Sequence, residues 1–241
     1  MYRIEKVLNH NTVIAIHQDE HKEVLIMGKG VGFGRKVAER IEVRPEDRLY
    51  SLQKYKERGG AKEIVKSIAP EFLELTNAVL DEAEKVFGKI DRMVLFSLAD
   101  HIAFAVKRIQ NHEQISNPLT EDIRVLFHME FKVAESIRPL LKKQFQIDIE
   151  DDEIGYVALH IHSAIEDEKV SQAMQMARSV RECISMVEEA IGKPIDIASL
   201  SYNRLMNHIR YMVARALSGE KLKVNMNAVS YTHLTLPTNS R

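Results

Sequence analysis

The 241 residues hold one cysteine, no tryptophan and six prolines, only 6% are aromatic, and the formal net charge is −1. Each scarcity removes a class of protein. A single thiol, Cys183, supports neither a disulfide framework nor a thiolate metal site, and its helical apolar neighbours mark it as a packing residue. With 34 Lys and Arg against 35 Asp and Glu, the chain is no general polyanion binder, so any nucleic-acid contact has to be local. No apolar run approaches the roughly 20 residues of a membrane span, and no cationic start leads into a secretory apolar stretch. A cytoplasmic chain without membrane insertion is expected. The glycines of Gly28-Lys-Gly-Val-Gly32 do not form a phosphate loop, because the lysine lacks its following Ser or Thr and no helix start is evident. No cofactor is expected.

What is present changes character along the chain. Residues 2–8, 12–16, 23–27 and 48–52 are short β-branched or alternating runs separated by Asn, Asp and Gly clusters, the pattern of an antiparallel meander. A sheet of about 50 residues buries little apolar surface alone, which makes dimerisation a natural remedy. From Ala61 the period becomes helical. The spacing predicts one helix over 64–88 with Gly88 as its stop and another from Asp91 to Ile109. A third, opened by Pro118 and Thr120, should be kinked or ended by Pro139. The acidic run 150–153 suits the positive end of a last helix carrying His160 and His162. The expected class is α+β multidomain, a small antiparallel sheet followed by all-α bundles. The expected divisions are 1–56, 64–169, a partial second bundle over 170–229, and a Thr-rich tail, 230–241, read as linker-derived.

An internal repeat runs through the helical part. Leu98, Asp100, His101, Ile102, Val106 and Arg108 recur 107 positions later as Leu205, Asn207, His208, Ile209, Val213 and Arg215. A lone histidine on an apolar stripe is usually a satisfied core residue, but retention of the histidine and of an arginine two turns on argues for a role. His160 and His162 are two apart, not the i,i+4 pair of a helical metal site, so chelation by them is not expected. A desolvated imidazole instead suits a nucleophile toward a phosphoryl donor, and histidines from two helices could share one site.

In the sheet, Asn9, Asn11, Gly28, Lys29, Gly30 and Phe33 form a candidate surface. Amides can read base edges, glycines let a backbone come close, and an exposed ring can stack on a base; equally, Asn and Gly are common in turns for conformational reasons alone. Residues 1–56 are mildly basic, with 11 Lys and Arg against 8 Asp and Glu.

Four motifs in order, Lys6-Val-Leu-Asn-His-Asn-Thr-Val-Ile14, Met27-Gly-Lys-Gly-Val-Gly-Phe33, Leu98-Ala-Asp-His101 and Gly155-Tyr-Val-Ala-Leu-His160, resemble the BglG/SacY-type transcriptional antiterminators. The resemblance covers residues 1 to about 228. It implies a dimeric four-stranded co-antiterminator domain that holds an mRNA leader hairpin through Asn11, Gly28, Lys29 and Phe33. It also implies phosphotransferase-system regulation domains. His101 and His160 would be phosphorylatable, with Asp100 and Arg108 as neighbours. His208 would be the first such histidine of a second domain, and the expected donors are HPr and a sugar-specific enzyme II; on charge alone, Arg108 or Arg215 is a candidate partner for a phosphoryl group. His10, His17, His21, His112, His128, His162 and His233 match no family site. Two other readings stay open on the residues alone: a metal-dependent phosphohydrolase using Asp100, His101 and His160, and a helical dimerisation scaffold that is never phosphorylated.

Overall fold

The structure, a computed structural model, describes residues 1–53, 60–113, 115–166, 168–196, 199–217 and 219. The domain limits expected near 56 and 229, and the tail 230–241, lie outside them. The chain divides into two compact units, Met1–Arg178 and Ser179–Arg241.

Alternating apolar residues build the sheet: β1 (Tyr2–Asn9), β2 (Thr12–His17), β3 (Glu23–Met27), β4 (Arg40–Ile41) and β5 (Arg48–Ser51), all antiparallel neighbours in the order β4-β1-β2-β3-β5. The two-residue β4 is a strand more than the four expected. It forms because Ile41 is drawn into the apolar cluster of Ile4, Val13, Ala15, Ile26 and Val31, which aligns its neighbours with Tyr2 and Arg3. Strand side chains alternate between faces, and the central strands β2 and β3 are covered on both. Leu25, Met27 and Tyr50 turn away from that cluster, and Tyr50 packs edge-on against Phe96 at 6.0 Å. One face of the sheet that looked too small to stand alone is thus covered by helices of its own chain, and the other by its own loop residues Val31 and Val43.

The helix expected over 64–88 is two helices, α1 (Gly60–Ser67) and α2 (Pro70–Phe87). Pro70 occupies the first turn of α2, where a missing N–H costs nothing, and Ala69 before it is extended at ψ 138°. Gly88 ends α2 at φ +78° and Gly192 stands at φ +70° in the second copy, a region that glycine enters without a Cβ penalty. Asp91 caps a 3-10 turn leading into α3 (Leu95–Gln110). Phe127 interrupts the next segment, giving α4 (Thr120–Leu126) and α5 (His128–Ala134). The bonds Phe127 N–H to Ile123 O and Phe131 N–H to Phe127 O bridge the break, which keeps the apolar period unbroken. Pro139 neither kinks nor ends a helix. It lies in the first turn of α6 (Ile137–Phe145), where it removes no intrahelical bond.

The acidic residues 151–153 do open α7 (Asp151–Glu166), which packs on α3, α4 and α5. In the remaining sequence α8 (Val170–Ile191) and α9 (Leu200–Leu217) repeat the order of α2 and α3. Half-buried Cys183 lies on α8. No helix among the described residues is long and apolar enough to cross a membrane.

Candidate functional site: a histidine pocket and an asparagine–glycine face

The first site lies between α3 and α7. Leu98, Ala105 and Ile102 seat α3 in the core, and this leaves His101 and Arg108, two turns apart, facing the start of α7. Glu153, Tyr156 and His160 recur on α7 at steps of three and four and meet them. The His101 and His160 rings lie 5.4 Å apart at 40°, and Tyr156 is 5.6 Å from His101. Glu153, only 4% exposed, stands between His101 and the Arg108 guanidinium. Its Oε2 is 3.3 Å from His101 Nε2, an ion-pair distance without hydrogen-bond alignment, and its Oε1 accepts a hydrogen bond from Arg108 Nη2. The Arg108 guanidinium also lies over the Phe104 ring at 4.7 Å.

These contacts set the protonation states. Burial would raise the Glu153 carboxyl, but His101 and Arg108 together outweigh it and hold the group below its ordinary value. Burial, with the charge of His101, pushes His160 from 6.5 down to about 3, so its ring is neutral at physiological pH. Its Nδ1 is buried with no hydrogen-bond partner among the described residues. A neutral, desolvated imidazole keeps its lone pair for attack on an electrophile.

Of the histidine-site residues read from the sequence, the fold brings together His101, His160 and Arg108. Asp100 is exposed on another side of α3, in a groove with Phe72 and Phe104. His208 and Arg215 are exposed on α9. His162 turns to α5, where Nδ1 meets Glu130 at 2.9 Å and the ring lies against Phe127. No cluster among the described residues could hold a metal ion. Glu153 escaped the sequence reading because it sat in an acidic run that a helix start already explained; its seven-residue step to His160 was the available signal.

The second site is the loop after β3 with the β1–β2 turn. Asn11 Oδ1 accepts from Gly30 N–H at 2.8 Å, and Gly28 N–H donates to the Asn11 carbonyl at 2.9 Å, so the asparagine organises the glycine loop. A Cβ on Gly28 would lie 1.8 Å from Asp47 Oδ1, which reserves the position for glycine. Asp47 is buried and held by Arg44, whose Nη2 also donates to the Lys29 carbonyl at 2.8 Å. Lys29 is exposed, and Phe33 is 68% exposed with His10 edge-on at 5.2 Å, a placement of His10 that the sequence did not suggest. The Asn side of this face is occupied. Asn9 Nδ2 donates to Glu74 of α2 at 2.7 Å, while Asn11 Nδ2 and Thr12 Oγ1 each reach the same carboxylate at 3.5 Å.

A model of the CAT RNA binding domain matches residues 2–59, and one of the PRD domain matches 73–164. Across 93% of this chain and 79% of the relative, the sequence is 31% identical to the "GlcA/glcB genes antiterminator" of Staphylococcus carnosus. The chain is a transcriptional antiterminator of the CAT–PRD type. "Protein GlcT" of Staphylococcus epidermidis is 27% identical to this antiterminator over 98% of its length and 84% of the relative's. The crystal structure of GlcT CAT-PRDI superposes with a TM-score of 0.59 at 31% identity, covering 68% of this chain and 98% of that one. The antiterminator binds RNA, is regulated through the sugar phosphotransferase system, and is not an enzyme. The phosphohydrolase and inert-scaffold readings therefore lapse.

Proposed function

We propose that this antiterminator reads an mRNA leader hairpin with the face built by Asn11, Gly28, Lys29 and Phe33, and that phosphorylation of His101, His160 and His208 controls it. The observation that carries the switch is the pairing of His101 with His160, one ring neutral and buried, beside the Arg108 guanidinium. A phosphoryl group adds close to two negative charges, and a guanidinium is its best partner in a partly desolvated pocket. HPr and a sugar-specific enzyme II are the donors, in the cytoplasm. The working form is a homodimer, which doubles the mildly basic RNA face.

The RNA assignment rests on Phe33, a large ring left in solvent beside exposed Lys29. Phe33→Ala should keep the fold and weaken hairpin binding by about 1–3 kcal/mol, the worth of one stacked base, in a titration at fixed salt. Unchanged affinity in a well-folded dimer would refute the assignment.

A further inference from the structure

Glu153 stands where a phosphoryl group would have to stand. Its Oε2 lies 3.3 Å from His101 Nε2, both atoms are closed to solvent, and its Oε1 holds the Arg108 side chain. Three groups thus form a chain, imidazole to carboxylate to guanidinium. An anion next to Nε2 favours the ring form that carries its hydrogen there, and such a nitrogen has no lone pair to give. The same anion repels an incoming phosphoryl dianion. Access to Nε2 therefore requires the carboxylate to leave.

We propose that Glu153 is a positioning residue that acts as a stand-in for the phosphoryl group at His101. It keeps Nε2 closed and Arg108 engaged in the unphosphorylated protein, and it cedes Arg108 to the phosphoryl group when one arrives. This rests on the reading of His101 as a phosphorylation site. In the transfer step His101 carries its hydrogen on Nδ1, and the Nε2 lone pair attacks the phosphorus of a donor protein's phosphohistidine. The Nε2–P bond forms as the donor's N–P bond breaks, and that electron pair stays on the donor imidazole. The Nδ1 hydrogen stays on His101, and the phosphoryl oxygens then take the guanidinium that Glu153 held. The pocket so exchanges one carboxylate for a dianion without a new cation being needed.

The test uses the full chain, phosphoenolpyruvate and the general phosphotransferase proteins, with the His101 and His160 peptides quantified separately by mass spectrometry. Glu153→Gln keeps the shape and removes the charge. It should raise the initial rate of His101 phosphorylation at least threefold, and Glu153→Asp, which restores the charge, should bring it back toward the wild-type rate. An orienting carboxylate that activates His101 would give the opposite sign, and a pocket merely loosened by the substitution would not be slowed again by Glu153→Asp. A slower or unchanged Glu153→Gln rate overturns the proposal and leaves the phosphorylation site standing. Absence of phosphate on His101 in every chain overturns the site assignment and the proposal with it. If Glu153→Gln does not fold, Arg108→Gln decides: acceptance at His101 should fall at least threefold and the phosphorylated form should hydrolyse faster, and wild-type behaviour in both refutes the stand-in.

Discussion

His101 and His208 stand at matching places of the internal repeat, yet one is half-buried in a pocket and the other lies open on its helix. The faces that carry them explain why. Leu95, Ala99, Ile102 and Val106 are buried on α3, and their counterparts Tyr202, Met206, Ile209 and Val213 are buried on α9. The duplicated core face is kept. The histidine face is a different stripe, and in the first copy it is α7 that closes it with Glu153, Tyr156 and His160. On α9 the same stripe, Ser201, Leu205, His208, Met212 and Arg215, is exposed apart from half-buried Leu205. A repeat in sequence therefore specifies how a helix is held, and the chemistry of its histidine comes from whichever element covers the other side.

The contrast can be broken most decisively by phosphate mapping. His101→Ala combined with His160→Ala should abolish phosphoryl acceptance within the first helical module while His208 keeps its label. Undiminished labelling of the first module would move the switch elsewhere.

A smaller effect concerns pH. Since the folded state keeps His160 neutral down to about 3 whereas the unfolded ring protonates near 6.5, the unfolded chain binds more protons between these values. Stability of the first module should therefore fall as the pH drops through that window, by at most about 1.4 kcal/mol per pH unit. Glu153 works in the same direction at the acid end: its held-down carboxylate stabilises the fold above the ordinary carboxylate range, and that contribution is lost as pH falls through its lowered value. Intrinsic-rate-corrected hydrogen exchange of α7 at several pH values measures this slope, and His160→Gln should flatten it.

The smallest difference is one of degree. Met186, Leu200 and Tyr211 are each at least 67% exposed in the α8–α9 segments, so less apolar surface is withdrawn from water there. Amides around His208 should exchange faster than those around His101. Equal protection would erase the contrast between the two copies.

Much of this was legible from the sequence because period and punctuation are local properties. Strands at 2–8, 12–16, 23–27 and 48–52, the stop at Gly88 and the acidic start of α7 all follow from side-chain alternation, glycine and helix-end charge. The misses share a cause as well. Pro70 divides 64–88 and Pro139 sits harmlessly in a first turn, and the apolar spacing is the same with or without the boundary. At Phe127 the hydrogen-bond ladder spans the break, so nothing in the period records it. Glu153 and Glu74 take their roles from partners 45 or more residues away, which no window of sequence contains.

The Glu74 contact also sets a rule for how tightly any ligand can be held on the asparagine side of the sheet. Its carboxylate sits on the Asn9 amide and within reach of the amide of Asn11, as an acceptor atom of a base would. A ligand that needs those donors meets them already engaged, and binds with its intrinsic affinity scaled by the fraction of molecules in which α2 has let go. On the Phe33 side, which faces water, no such discount applies. On the face proposed here to bind RNA, the protein thus carries its own competitor on one half, and movement of a single helix turn would change the strength of binding without altering any residue that touches the ligand.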